Sequence, residues 1–165
     1  MKNIVLIGMP GSGKTTILHK LGEKLGWPIM DTDLYIVAKQ GKTVQEMFDI
    51  SEQYFRDIET RTYDEISSLE GYILATGGGA VKRAENIEYL KRNGVTFLLN
   101  RTPENIIADI DISGRPLLRD GADKIWNLYR ERKDLYLKYA DVIVDNNGDI
   151  DDAVDFIVNR VKDWK

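Results

Sequence analysis

The stretch Gly8-Met-Pro-Gly-Ser-Gly-Lys-Thr15 decides the fold of this chain, because it is a complete G-x-x-x-x-G-K-[ST] pattern. A short apolar, β-branched run precedes it, and a helical pattern over 14–25 follows it. In this context the glycines let backbone N–H groups converge on phosphate oxygens, and the helix N-terminus adds its partial positive charge. The pattern predicts that Lys14 reaches the β- and γ-phosphates of a nucleotide and that the Thr15 hydroxyl binds Mg²⁺.

Apolar strands alternate with helical patterns along the rest of the chain. Besides 3–8, strands are expected at 28–31, 72–75, 95–99 and 141–145, and helices from Thr43, over 51–69 and 83–91, after Thr102, over 122–139 and from Ile150. This alternation is typical of an α/β protein whose parallel sheet lies between layers of helices. We therefore expect one three-layer α/β/α domain over residues 1–165, with a five-stranded, mainly parallel sheet.

Composition narrows the classes of protein that remain. The chain has 165 residues, a formal net charge of -4 and no cysteine. The acidic balance argues against sequence-independent nucleic-acid binding, and the lack of cysteine excludes disulfides, thiol nucleophiles and cysteine-ligated metals. No stretch approaches the ~20 apolar residues of a membrane span. We expect a cytoplasmic protein without a nucleic-acid or membrane partner, and a monomer, because no heptad or large apolar stripe demands a dimer.

The phosphate-binding loop occurs in GTPases and motor ATPases as well as in kinases. A GTPase needs an Asn-Lys-x-Asp pattern to read guanine, and the nearest string here, Asn146-Asn-Gly-Asp149, lacks the lysine. A motor ATPase usually carries an acid at the end of its third strand, where this chain has Thr76 followed by glycines. A small-molecule kinase is left as the best interpretation.

Two acidic residues, Asp31 and Asp33, stand where the second predicted strand ends. The carboxyl ends of parallel strands line the ligand crevice of such a sheet, and residues two apart in extended backbone share a side. One carboxylate could join the metal shell while the other accepts the proton of a substrate hydroxyl. The alternative is a turn in which these acids cap the following helix.

Two arginines lie close to apolar helical faces. Arg56 flanks the apolar stripe of its predicted helix, and Glu59, three residues further on, could simply pair with it. Arg132 falls inside the apolar arc of the helix over 122–139. A guanidinium that faces inward needs an anion, which is either an internal acid or a substrate carboxylate bound by a bidentate contact, unless it reaches water past its neighbours.

Two glycine-containing segments complete the candidate site. Gly77-Gly-Gly79 ends the third strand and can expose backbone N–H groups to a ligand, or it can be no more than a flexible turn. The segment over about 110–121 has no clear period and carries Arg115 and Arg119. We expect a lid that excludes water and brings a cation to the transferring phosphoryl group; an exposed basic loop without function is the alternative.

Together these motifs resemble those of the shikimate kinase family over nearly the whole chain. The matching strings are Gly8-Met-Pro-Gly-Ser-Gly-Lys-Thr-Thr16, Asp31-Thr-Asp33, Glu52-Gln-Tyr-Phe-Arg-Asp-Ile-Glu59, Gly77-Gly-Gly-Ala80, Arg115-Pro-Leu-Leu118 and Arg132-x-x-x-Tyr136. The resemblance implies a P-loop NTPase fold of the nucleoside monophosphate kinase type. It also implies transfer of the γ-phosphoryl group of ATP to the 3-hydroxyl of shikimate, on the route to chorismate and the aromatic amino acids.

The resemblance also implies a role for each matched residue. The catalytic residues would be Asp33 as proton acceptor, Lys14 and, on the lid, Arg115. ATP would be held by Gly11, Ser12, Gly13, Lys14, Thr15, Thr16 and Arg115, and Mg²⁺ by Thr15 and, through water, by Asp31. Shikimate would contact a region of about 31–60 and, in particular, Asp33, Arg56, Gly78, Gly79 and Arg132. Of these, Arg56 and Arg132 would clamp its carboxylate, with Glu59 orienting Arg56.

Two positions depart from the family's pattern. Many members have a basic residue that stacks on adenine seven positions before the lid arginine, where this chain has Ala108 followed by Asp109. Ser51 replaces a glycine that is common before the Glu-x-x-x-Arg stretch. Two interpretations compete with an active shikimate kinase: a kinase for another polyol acid such as gluconate, and a regulatory paralogue that binds nucleotide.

Overall fold

The strands of this protein form one parallel sheet. The structure is a computed structural model that describes residues 1–112 and 119–164. The strands are β1 (Asn3–Ile7), β2 (Ile29–Asp31), β3 (Ile73–Ala75), β4 (Gly94–Asn100) and β5 (Val142–Asp145). They pair in the order β2-β3-β1-β4-β5, and every neighbouring pair is parallel. β1 is buried at every position, which explains its continuous apolar run.

Helices cover both faces of the sheet. They are α1 (Lys14–Leu25), α2 (Thr32–Gln40), α3 (Val44–Ile50), α4 (Glu52–Ile66), α5 (Ala84–Lys91), α6 (Pro103–Ile112), α7 (Arg119–Tyr139) and α8 (Ile150–Val161), with a short 3-10 helix at Ala80–Lys82. One apolar cluster joins α1 and α8 to the sheet, and a second joins α4, α5, α6 and α7 to it. The predicted three-layer α/β/α architecture is therefore confirmed. Among the described residues no helix is long and apolar enough to cross a membrane.

Helix α2 is the element that the sequence analysis missed. The chain was expected to turn after Asp31, yet Thr32–Gln40 is helical. The signals for its ends are present, because the Asp31 carboxylate accepts hydrogen bonds from the backbone N–H groups of Asp33 and Leu34, and Gly41 follows its last residue with φ +63°. A third apolar cluster, formed by Ile36, Met47, Phe55 and Ile58, joins α2, α3 and α4.

Helices extend into both ends of the segment over 110–121, which was expected to be irregular. Helix α6 continues to Ile112, and α7 begins at Arg119 rather than at Ala122. Gly121 lies inside the first turn of α7, where a glycine weakens a helix by only about 1 kcal/mol and does not end it. Residues 113–118 lie outside the described part of the chain.

The parallel sheet brings five loops to one edge. Each strand ends on the same side, so the residues after β1, β2, β3, β4 and β5 lie along one rim. These residues are the phosphate-binding loop, the first turn of α2 with Asp33, Gly77–Gly79, Arg101 and Asn146. Ligands of open α/β sheets bind at this rim.

Helix α8 offers a matched pair for testing how the helices pack. Ile157 is fully buried in the cluster shared with α1, whereas its neighbour Phe156 is 49% exposed. We expect Ile157→Ala to lower the free energy of unfolding by about 2–5 kcal/mol, because it removes buried methylene groups and leaves a cavity. Phe156→Ala should change it by no more than about 0.5 kcal/mol. Urea unfolding measures both, and equal losses would contradict the packing.

Candidate active site

The phosphate-binding loop connects β1 to α1 and depends on a glycine where a side chain could not fit. Gly13 has φ +98°, and a Cβ atom built on it would lie 2.9 Å from Nδ2 of Asn146. Asn146 is fully buried after β5, and its Nδ2 donates a hydrogen bond of 2.7 Å to the carbonyl of Ser12. The sequence analysis did not identify Asn146 as part of the site. Asn146 supports the phosphate-binding loop only because the fold brings it next to Ser12, which lies far from it in sequence.

The predicted nucleotide-binding residues surround one cavity of about 530 Å³, the first cavity. It is lined by Pro10, Gly11, Gly13, Lys14, Thr15, Thr16, Asp31, Asp33, Ala75, Thr76, Gly77, Gly78, Arg101, Asp109 and Ile150. Two predicted residues are not among them: Ser12, which is fully buried, and Arg115, which lies outside the described residues. The structure thus brings together most of the residues that the motif singled out.

Lys14 is the cation at the centre of this loop. Its Nζ donates hydrogen bonds to the carbonyl oxygens of Gly8 at 2.6 Å and Met9 at 2.9 Å. The pKa of Lys14 is lowered to about 8, mainly by burial and in part by Arg132, while the carboxylates of Asp33 and Asp31 oppose the shift. A poorly solvated ammonium is well suited to bind phosphate oxygens, because their negative charge stabilises its charged form.

Asp31 combines the two interpretations that the sequence left open. Its Oδ1 caps α2, as a turn-forming acid would, while its Oδ2 lies 3.5 Å from the Thr15 hydroxyl. A hydroxyl and a carboxylate oxygen are ligands that suit a hard cation held mainly by phosphates and water. Among the described residues no group of three or more His, Asp or Glu side chains could hold a metal by itself. The pair therefore fits a metal that arrives with a nucleotide.

Asp33 lies in the first turn of α2 and borders both the first cavity and a second one. The second cavity has about 290 Å³ and is lined by Pro10, Asp33, Val44, Phe48, Glu52, Phe55, Arg56, Glu59, Gly77, Gly78, Gly79, Lys124, Leu128 and Arg132. Asp33 Oδ1 is buried without a hydrogen-bond partner among the described residues. Burial and the neighbouring Asp31 raise the pKa of Asp33, and Lys14 and Arg56 oppose the rise. A carboxyl with a raised pKa at this junction can accept a proton.

Arg56 is held in the wall of the second cavity by a buried acid. Its Nη1 donates a hydrogen bond of 3.0 Å to Oε1 of Glu59, which is fully buried. Burial raises the pKa of Glu59, and the Arg56 guanidinium opposes that rise. The rings of Phe48 and Phe55 each lie 5.4 Å from the guanidinium carbon. The intrahelical pair proposed as the simple alternative is present, and it fixes Arg56 at the cavity.

Arg132 faces the same cavity from α7. It is only 7% exposed, and its Nε is buried without a hydrogen-bond partner among the described residues. No carboxylate of those residues lies within 4.0 Å of its guanidinium, so the alternative of an internal acid finds no support there. Tyr136, one turn further along α7, donates a hydrogen bond of 2.6 Å to the carbonyl of Gly78. This hydrogen bond connects α7 to Gly77–Gly79, which lines the same cavity as Arg56 and Arg132.

Each glycine of Gly77–Gly79 leaves room for a different neighbour. A Cβ atom on Gly77 would lie 2.9 Å from Asp33 Oδ1 and 3.1 Å from a Glu59 carboxylate oxygen. On Gly78 it would lie 2.8 Å from a ring carbon of Pro10, and on Gly79 it would lie 2.5 Å from Cζ of Arg56. The segment is therefore closely packed against charged groups of the site, in contrast to the flexible turn given as the alternative.

Neither of the two arginines predicted for the lid is among the described residues that line the two cavities. Arg115 lies outside the described residues, and Arg119 begins α7. Two charged residues that line the first cavity were not predicted to belong to the site. These are Arg101, directly after β4, and Asp109 on α6. Neither belongs to a motif: the strand order places Arg101 at the rim, and α6 brings Asp109 beside it.

Sequence relatives of this chain share one description. A model of the family described as Shikimate kinase matches residues 10–162. A shikimate kinase of Clostridium botulinum (strain Alaska E43) is 46% identical over 158 residues, which cover 95% of this chain and 96% of that protein. A shikimate kinase of Clostridium beijerinckii is 43% identical over 164 residues, covering 99% and 95% of the two chains.

Solved structures agree with the sequence relatives. A shikimate kinase from Acinetobacter baumannii in complex with shikimate superimposes with a TM-score of 0.87 at 32% identity, covering 100% of this chain and 96% of that one. The shikimate kinase from Bacteroides thetaiotaomicron has a TM-score of 0.87 at 29% identity, with 98% of each chain covered. With the loop, the acids and the arginines at one rim of the same fold, this chain belongs to the shikimate kinase family.

Proposed function

We propose that this chain transfers the γ-phosphoryl group of ATP to the 3-hydroxyl of shikimate, giving shikimate 3-phosphate and ADP for the synthesis of chorismate and aromatic amino acids. One observation carries the proposal. A cavity built on the phosphate-binding loop adjoins a cavity walled by two buried arginines, and Asp33 borders both. Phosphoryl transfer needs this arrangement of donor and acceptor on either side of a group that accepts a proton.

The first cavity is where ATP would bind. The loop N–H groups and the N-terminus of α1 would hold its phosphates, and the Lys14 ammonium would neutralise the β- and γ-phosphate oxygens. Thr15 would bind Mg²⁺ directly, and Asp31 would bind it through water. When bound, Mg²⁺ supplies further neutralisation of the charge on these phosphates. The 3.5 Å between the Thr15 hydroxyl and Asp31 Oδ2 supports this assignment.

The second cavity is where shikimate would bind. Arg56 and Arg132 would form charge-assisted hydrogen bonds to its carboxylate, and the backbone of Gly78 and Gly79 would contact it. Elements α2, α3 and the first half of α4 line part of this cavity, which supports the substrate-binding region of about 31–60. Arg132 supports the assignment most strongly, because a buried guanidinium is costly unless an anion meets it.

Asp33 would act as the general base. Its carboxylate would accept the proton of the 3-hydroxyl while that oxygen bonds to the γ-phosphorus and the bond to the bridging β–γ oxygen breaks, releasing ADP. A raised pKa makes Asp33 a stronger base than an ordinary aspartate and brings it closer to the operating pH. Arg115, which lies in the sequence between α6 and α7, would add a cation at the phosphates; this part of the proposal rests on the sequence resemblance.

The remaining parts of the proposal rest on composition and pattern. We propose that residues 1–165 act as one domain, as a monomer and in the cytoplasm. The lack of cysteine fits a reducing compartment, and the net charge of -4 disfavours a nucleic-acid partner. The comparisons do not favour a gluconate kinase or a regulatory paralogue.

A coupled assay of ADP release tests this function together with the role of Asp33. The unsubstituted protein should turn over with shikimate and ATP and should give no turnover with gluconate. Asp33→Asn should lower kcat by about 10²–10⁴-fold, because an amide keeps the shape of the side chain and cannot accept the proton. Asp49→Asn, an exposed acid on α3, is the control and should keep full activity. Full activity of Asp33→Asn would remove it from the mechanism.

The pH dependence should report the charge of Lys14. With a pKa of about 8, the Lys14 amine carries its positive charge below this pH and loses it above. We therefore expect kcat/KM for ATP to fall above about pH 8. The fall in kcat should lie at higher pH, because bound phosphates stabilise the charged form. Lys14→Arg, which stays charged, should remove this limb, whereas Lys20→Arg on the same helix should leave it unchanged. A limb that persists in Lys14→Arg would contradict the assignment.

Gly79→Ala should displace the Arg56 guanidinium, because the new Cβ would collide with it. We expect KM for shikimate to rise by about tenfold or more, the effect of losing one hydrogen bond to a charged group. KM for ATP should stay within about twofold. Steady-state kinetics with each substrate varied in turn measures both. Gly148→Ala is the matched control, since a Cβ there meets nothing within 4 Å. Equal KM values for shikimate in the two variants would refute the role of Gly79.

A further inference from the structure

Arg101 is a largely buried cation of the first cavity that the mechanism above does not use. It follows β4 directly, and its side chain is 15% exposed. Apart from Lys14, it is the only cation among the described residues that line this cavity. Lys14 bonds to the loop carbonyls near α1, whereas Arg101 is anchored on α6. The two cations therefore serve different parts of the cavity.

An ion pair with Asp109 fixes the guanidinium of Arg101. Its Nη2 lies 2.5 Å from Oδ2 of Asp109 and donates a longer hydrogen bond of 3.4 Å to the carbonyl of Asn105. The Nε atom is buried without a hydrogen-bond partner among the described residues. The Asp109 side chain is itself 57% exposed and also lines the cavity. The pair thus forms one wall of the first cavity.

The charge of this wall indicates which part of a nucleotide it would contact. Asp109 already neutralises the guanidinium, and its exposed carboxylate repels phosphate oxygens. A paired guanidinium still presents a planar, weakly hydrated face, which stacks on aromatic rings. Ile150, at the start of α8, lines the same cavity, and its Cδ1 would lie 3.7 Å from a Cβ atom on Gly13. An apolar side chain and a planar cation suit a flat nucleobase.

We propose that Arg101 packs its guanidinium against the nucleobase of ATP, and that Asp109 is the positioning residue that holds Arg101 in place. Ile150 contributes the apolar contact from α8. This inference rests on the proposed function, because it takes ATP as the phosphoryl donor. It assigns recognition of the base to β4 and α6, outside the phosphate-binding loop.

Isothermal titration with ADP and with inorganic pyrophosphate tests the inference. Arg101→Met should weaken ADP binding by about tenfold, the size of a desolvated cation–π contact, and should leave pyrophosphate binding within about twofold. Asp109→Ala should weaken ADP binding by a smaller factor and should have no further effect when Arg101→Met is already present. A merely structural role would not produce this split between ADP and pyrophosphate. KM for shikimate should not change in either variant.

Arg92→Met is the matched control, because Arg92, directly after α5, forms an exposed ion pair with Asp64 of α4. It should bind ADP as the unsubstituted protein does. If Arg101→Met does not fold, Arg101→Lys keeps the charge without the plane and should still lose affinity for ADP. Unchanged ADP binding in a folded variant, or an equal loss for ADP and pyrophosphate, would overturn the inference. If the unsubstituted protein binds no ADP or does not phosphorylate shikimate, the proposed function itself fails.

Discussion

The parallel pairing of β1 with both β3 and β4 is the constraint on which the rest of this protein depends. Backbone hydrogen bonds fix the register, with Leu6 opposite Ala75 on one side and Phe97 on the other. Because both neighbours run in the same direction as β1, the phosphate-binding loop, the glycine segment and Arg101 leave the sheet together. An antiparallel neighbour would send its loop to the opposite rim. The direction of the strands therefore determines where the candidate site lies.

Burial of opposite charges at this rim gives the site its chemical character. Lys14, Arg56 and Arg132 face Asp33 and Glu59 in a region with little solvent, although the whole chain carries a net charge of -4. Desolvation lowers the pKa of Lys14 and raises the pKa values of Asp33 and Glu59, so both kinds of group move toward neutrality. An anionic ligand would oppose the lowering of the Lys14 pKa. This electrostatic balance suits a site that binds a triphosphate and a carboxylate side by side.

The charged groups can lie this close only because small residues separate them. Gly77 leaves room for Asp33 and Glu59, and Gly79 leaves room for Arg56. Gly13 does the same for Asn146, which supports the phosphate-binding loop from β5. A single methyl group at such a position would move a charged side chain rather than merely fill space. Glycine acts here through the contacts it permits across the site.

Local patterns in the sequence determined the phosphate-binding loop, the alternation of strands and helices, and the unusual inward position of Arg132, because these depend on residues close together in the chain. The helix after Asp31 was missed although its capping residues were present. Only the tertiary structure decided that Asp33 borders two cavities, that Gly79 packs on Arg56, that Asn146 supports the loop, and that Arg101 and Asp109 wall the first cavity. Most of these contacts join segments far apart in sequence. They follow from the order in which the strands pair, which no local periodicity encodes.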